Sequence, residues 1–110
     1  MRAILIDAKN KTVTETQVHG LPGLQNAVGG YIECAHDFDN GDTCYVNEEG
    51  LFHFEDFFMI DGAHQPFAGN GIIVGLDQES GETTDAKAEI NDLKIKFATR
   101  SEVMEMQKTR

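Results

Sequence analysis

Two cysteines and four histidines are the residues of this chain best suited to nucleophilic or metal chemistry: Cys34, Cys44, His19, His36, His53 and His64. Their spacing builds no zinc site, which takes four such ligands in short pairs. No His-x-His or His-x-x-x-His pair occurs. A nucleophile needs a base beside it and a group that orients the base. No orienter or oxyanion donor can be assigned to Cys34 or Cys44 with His36. The two cysteines stand diagonal to one another in the expected hairpin, too far apart for relaxed disulfide geometry, so both are expected to be buried free thiols. His64 precedes Gln65-Pro66-Phe67 in a loop and is the histidine best placed to touch a ligand or partner. The stretch from Asp37 to Asp42, with Glu48 downstream, is superficially like a calcium loop. The glycine such a loop requires at its sixth position is here Asp42, and a hairpin turn accounts for the same residues. Gly69-Asn70-Gly71 precedes a strand, whereas phosphate-binding glycines follow one and open a helix. No metal ion and no cofactor is expected.

The elements that must position these residues follow from hydrophobic periodicity. Ala3 to Ile6 reads as a strand buried on both faces, and Thr12 to Val18 as a more exposed strand antiparallel to it. Pro22 opens a short helix over Leu24 to Val28, closed by Gly29-Gly30. Tyr31 to Phe38 and Asp42 to Asn47 form a hairpin around Asp39-Asn40-Gly41, with Gly41 left-handed in a three-residue loop. That register places Ile32, Cys34, His36 and Phe38 on one face with Cys44 and Val46. Tyr31, Glu33, Ala35, Asp37 and Tyr45 fall on the other. Leu51 to Ile60 is dense in phenylalanine and Gly71 to Asp77 is a buried strand. Leu93 to Phe97 alternates apolar with lysine, as suits a sheet edge. Ser101 caps a short C-terminal helix over 101–110. The expected fold is a single α+β domain over 1–110. It is a mainly antiparallel sheet of five to six strands with two or three short helices. Its hairpin, helix, hairpin opening resembles a β-grasp arrangement.

Charge layout sets the expectation about partners. The 110 residues carry nine bases, nineteen acids and a formal net charge of -10. Residues 12 to 86 hold no lysine or arginine, yet they contain fourteen of the acids. A field of this sign repels nucleic acid and anionic lipid and attracts basic protein surfaces. No apolar run approaches the ~20 residues that span a bilayer, and the start lacks the pattern of a signal peptide, so the expected compartment is the cytoplasm.

Several stretches carry a resemblance to a known group. They are Gly29-Gly30-Tyr31-Ile32-Glu33, the Asp-Asn-Gly hairpin through Tyr45-Val46-Asn47-Glu48-Glu49-Gly50, the Asn70 region, and Gly71-Ile72-Ile73-Val74-Gly75 followed by Asp77. In these the chain resembles a small bacterial family catalogued as a domain of unknown function and carried mainly by phages, plasmids and other mobile elements. The resemblance covers residues 1 to about 85. It implies an accessory role on a mobile element and brings no catalytic residues with it.

The leading expectation is a non-enzymatic acidic interaction protein that engages a basic surface of a host protein. A nucleic-acid-handling defence enzyme is the natural target, antagonised by imitation of a phosphate backbone. The contacts expected are Asp37, Asp39, Asp42, Glu48, Glu49, Glu55 and Asp56, clustered at hairpin ends. The alternative is a small-molecule or nucleotide-signal-binding module with a pocket drawn from Tyr31, Tyr45, Phe54, His64 and Phe67. A hydrolase using His36 or His64 with a carboxylate ranks last. Oligomeric state is left open, with dimerisation through a strand edge or the aromatic segment as one outcome.

Overall fold

The computed structural model describes residues 1–108. β1 (Arg2–Asp7) and β2 (Thr12–Gln17) form the first hairpin. Ala3, Ile4 and Ile6 of β1 have no exposed surface. Burial on both faces is what an uninterrupted apolar run requires. α1 (Gly20–Val28) begins earlier than its apolar residues indicate. Pro22 needs no amide partner in a first turn, so the helix extends through it. Leu24 and Val28, four apart on one face, are the two residues that α1 buries. Gly29, at φ 80°, ends the helix in the left-handed conformation, its amide bonded to the Gln25 carbonyl at 2.8 Å.

β3 (Ile32–Asp37) and β4 (Asp42–Asn47) make the second hairpin. The three-residue loop is present, with Gly41 at φ 95° and the Phe38 amide bonded to the Asp42 carbonyl. The expected facing of the strand, however, holds for only half its length. His36 pairs with Cys44, but Cys34 pairs with Tyr45, because Ala35 is an extra residue in a β-bulge. A bulge inverts the alternation beyond it. Ile32 and Cys34 therefore share a face with Tyr45, while Glu33 and Ala35 lie on the face of Cys44 and Val46.

The aromatic stretch divides into α2 (Gly50–His53), one helical turn, and β5 (Asp56–Ile60). β6 (Phe67–Ala68), β7 (Gly71–Leu76), β8 (Thr83–Thr84), β9 (Ile95–Thr99) and α3 (Arg100–Lys108) complete the chain. The C-terminal helix thus starts one residue before its expected range, and residues 109 and 110 of that range lie outside the described part.

The strands form two sheets with every pairing antiparallel. The larger has the order β2-β1-β7-β4-β3, with β8 attached to the end of β7, and the smaller has the order β6-β5-β9. β7 runs antiparallel to both β1 and β4, where a β-grasp sheet has a parallel central pair. Ile4, Ile6, Cys44 and Ile73 on the large sheet meet Phe58, Ile60 and Phe67 on the small one. α1 covers the outer face of the large sheet through Ala3, Ile72 and Val74. α3 covers the small sheet, with Val103 against Phe57 and Ala98. The domain is thus α+β, built in the layer sequence helix, sheet, sheet, helix. Phe58, with no exposed surface, joins the sheets. Truncation of such a phenylalanine to alanine costs about 3–5 kcal/mol.

Candidate functional site

Three stretches far apart in sequence meet at one end of the molecule. After the Gly29 cap, the Gly30 amide also bonds to the Gln25 carbonyl at 3.1 Å, and the chain turns into β3. The Tyr31 carbonyl accepts the Glu48 amide at 2.9 Å. Asn47, only 7% exposed, ties the two strands to the helix. Its Nδ2 donates to the Val28 carbonyl at 3.3 Å and its Oδ1 accepts the Glu49 amide at 2.8 Å. Gly30 lets this amide side chain approach, since a Cβ there would lie 2.7 Å from Asn47 Nδ2. Asn70 Nδ2 donates to the Ala27 carbonyl at 3.3 Å, bringing the start of β7 to the same helix end. Gly50 packs against the Ala68 carbonyl, 2.8 Å from where a Cβ would stand.

This scaffold of buried amides and glycines mounts a surface of another kind. Tyr31 is 69% exposed, Leu51 62% and Phe52 85%. A group of exposed apolar side chains marks an interface, whereas a single one is ordinary on a protein surface. Glu48, Glu49 and Glu55 are exposed on the same segments. His53 lies 3.2 Å from Glu49 across one helical turn. Arg100 fastens α3 to this segment. Its guanidinium donates to the Leu51 and Phe54 carbonyls at 2.7 and 2.5 Å, approaches Glu55 at 3.1 Å and stacks over the Phe57 ring at 5.1 Å.

The other expected contact residues do not join this group. Asp37 and Asp39 are exposed at the far end of the same hairpin. At about 3.4 Å per residue, the length of β4 places them roughly 20 Å from Glu48. Lys87 reaches that tip, with Nζ 3.2 Å from the Asn40 carbonyl. Asp56 is half-buried at the start of β5, paired with Thr99. Asp42 corrects the expectation of a free contact residue. It is 1% exposed and its carboxylate accepts the amides of Lys87 and Ala88, at 2.9 Å each for the shorter bonds. It faces inward because it has the same strand parity as Cys44 and Val46. The terminal cations also reach the acids, since Arg2 pairs with Glu15 at 2.7 Å and Glu89 at 3.4 Å. The exposed members of the expected contact set therefore fall into two separate groups, Glu48, Glu49 and Glu55 at one end of the hairpin and Asp37 and Asp39 at the other.

The aromatic residues expected to form a pocket are dispersed as well. Phe67 is a core residue, 7% exposed, with its ring 5.6 Å from that of Phe58. Tyr45 is half-buried on the α1 face, and its hydroxyl is pushed up in pKa by burial, then by Cys34 and Asp37. Phe54 lines a cleft with Asn26 and Asn70, whereas His64 lines a different one with Met59 and Pro66.

Only one of the two thiols is buried as expected. Cys44 has no exposed surface, and burial pushes its thiol up in pKa, so it stays protonated and unreactive. Cys34 is exposed, with Sγ 3.3 Å from Thr43 Oγ1 and 3.6 Å from Asp37 Oδ1. The bulge at Ala35 is the cause, since it turns Cys34 to the face opposite Cys44. His36 packs edge-on against Phe38 at 4.8 Å. Among the described residues no three His, Cys, Asp or Glu side chains are grouped to hold a metal ion, and no helix is long and apolar enough to cross a membrane. Sequence reasoning placed Phe52 in a mostly buried aromatic run without assigning it to the site, and it passed over Leu51 and Arg100. The available signal was the single turn between Gly50 and Phe54, too short to bury every apolar member of Leu51-Phe52-His53-Phe54.

Comparison with known proteins finds one family model, described as a domain of unknown function (DUF3846), that matches residues 1–98. No curated protein and no solved structure matches the chain.

Proposed function

The chain belongs to the DUF3846 family, a domain of unknown function, and from its surface we propose a non-enzymatic interaction module that presents an acidic, aromatic-tipped end to a basic surface of another protein. The observation that carries this reading is Phe52, 85% exposed between Glu49 and Glu55. An aromatic side chain supplies contact area at small entropic cost, and carboxylates beside it steer a cationic partner and set its register. Tyr31, Leu51 and Glu48 extend the same surface. Support also comes from how rigidly it is mounted, on Asn47, Gly30 and Gly50, since a preorganised surface loses little freedom on binding. In the mobile-element setting that the sequence resemblance implies, a host protein that handles nucleic acid is a natural owner of such a basic surface. Asp37 and Asp39 form a secondary acidic group on this reading, and Asp42 takes no part.

The test is capture from host lysate by the immobilised chain, compared with Phe52→Ala and Glu48→Lys/Glu49→Lys variants. The wild type should retain a basic protein at low salt and release it at about 0.5 M salt, where screening reaches within a few ångströms. Either variant should retain about tenfold less, the usual effect of losing an interface anchor. Capture that is unchanged by salt and by both variants would defeat the reading.

A further inference from the structure

The large sheet is wider than the small one, and the difference leaves a groove. The small sheet ends at β6, and beyond it the inner face of β3 overhangs at Glu33, which is exposed, while Ala35 on the same face still packs on the core. The groove, about 230 Å³, lies between this overhang, α2 and α3. Val46, Phe57 and Val103, each no more than 7% exposed, form its floor. Leu51 and Met104, 62% and 52% exposed, stand at its lips. Glu33 and Glu48 supply the carboxylates along the β3–β4 side. Arg100 also lines it, but its charge is committed to Glu55 and to two backbone carbonyls.

We propose that this groove receives a short segment of the basic partner in which an apolar side chain enters between Leu51 and Met104 and a neighbouring lysine or arginine pairs with Glu33 and Glu48. The inference rests on the proposed function and adds where and how the partner inserts. Charge complementarity selects the occupant. An apolar slot bounded by two carboxylates, with its own cation neutralised, rejects an acidic segment and leaves a purely charged one without a fit. Anchoring of an apolar side chain in a desolvated slot is the usual form of an energetic centre in an interface.

The test uses the full chain and a defined probe, a capped peptide alternating leucine and arginine, followed by amide chemical shifts at low salt. Shifts should centre on Glu33, Val46, Leu51 and Met104. Met104→Ser and Leu51→Ser, both at exposed positions and checked for folding by circular dichroism, should each weaken binding about tenfold. Glu33→Lys should do the same, and Asp39→Lys, at the other end of the hairpin, should change it less than about twofold. Shifts centred on Asp37 and Asp39, or serine variants within about twofold of wild type, would overturn the groove assignment. The interaction reading would then stand, because it is judged on Phe52 and on capture of the partner. Absence of peptide binding while that capture persists would likewise remove the groove alone. Light scattering that shows a dimer dissolved by Met104→Ser would make the occupant a second copy and overturn the proposal.

Discussion

At the residue scale, Asp42 shows how far a side chain's role depends on strand parity. Two and four places along from it on the inner face stand Cys44 and Val46, so a carboxylate that sits beside a turn is directed inward. It avoids the desolvation cost by accepting two backbone amides from the segment that leads to the small sheet. Asp42→Ala leaves those amides without a partner and should destabilise the fold by about 2–3 kcal/mol in denaturant unfolding. It should leave partner capture per folded molecule unchanged, which separates a structural acid from a contact acid. The two cysteines differ in the same way. Native protein should react with a thiol reagent at one site, Cys34, within the time of mixing, and at Cys44 only after denaturant is added. Two fast thiols would mean that the large sheet opens readily around β4.

At the scale of elements, the junction of β9 and α3 is the sharpest case. The expected cap, Ser101, lies inside the helix, and Thr99 does the capping. The Glu102 amide donates to Thr99 Oγ1 at 3.2 Å and Glu102 Oε1 accepts the Thr99 amide at 2.9 Å, a reciprocal capping box. Thr99→Ala should cost about 1 kcal/mol. The bonds from Thr99 hold the Glu102 carboxyl below its ordinary pKa. A depressed folded pKa contributes stability that is fully present above the unfolded value and is lost as pH falls through the folded one. Melting curves of wild type and Glu102→Gln should therefore differ above the ordinary glutamate range and converge below it. A gap that persists at low pH would mean that the box is held by something other than charge. Thr99-x-x-Glu102 is legible as a cap signal, but a strand that passes into a helix with no intervening loop hides it, because one residue serves both. The same limit governed the rest. Gly41 and Gly29 fixed a turn and a helix end locally, and the apolar runs of β1 and β7 marked central strands. The bulge at Ala35 leaves no local signature, since alanine suits either facing, and it misplaced Cys34 and Glu33. Division of the aromatic segment into a buried strand and an exposed helical turn depends on α3, which claims Phe57 and leaves Phe52 outside.

At the scale of the whole molecule, the dispersal of the acids makes net charge a question of stability as well as recognition. With a formal charge of -10 on 110 residues, the compact state concentrates like charges that the unfolded chain spreads apart. Against this stand a few exposed ion pairs, Arg2 with Glu15 and Glu89, Arg100 with Glu55, and Lys108 with Glu105 at 3.8 Å. Exposed pairs contribute about 0–1 kcal/mol each and are themselves weakened by salt. Repulsion among acids that have no base between residues 12 and 86 extends over many more pairs, and salt screens it at about 10 Å in 0.1 M solution. Screening should therefore relieve more than it removes, and the melting temperature should rise as sodium chloride is raised through this range. Chloride is the appropriate anion because sulfate strengthens apolar burial by a separate route. A melting temperature that falls with chloride would show that the terminal cations neutralise the acids where it matters. The surface offered to a basic partner would then be far weaker than its sequence charge suggests, so the same titration bears on stability and on recognition together.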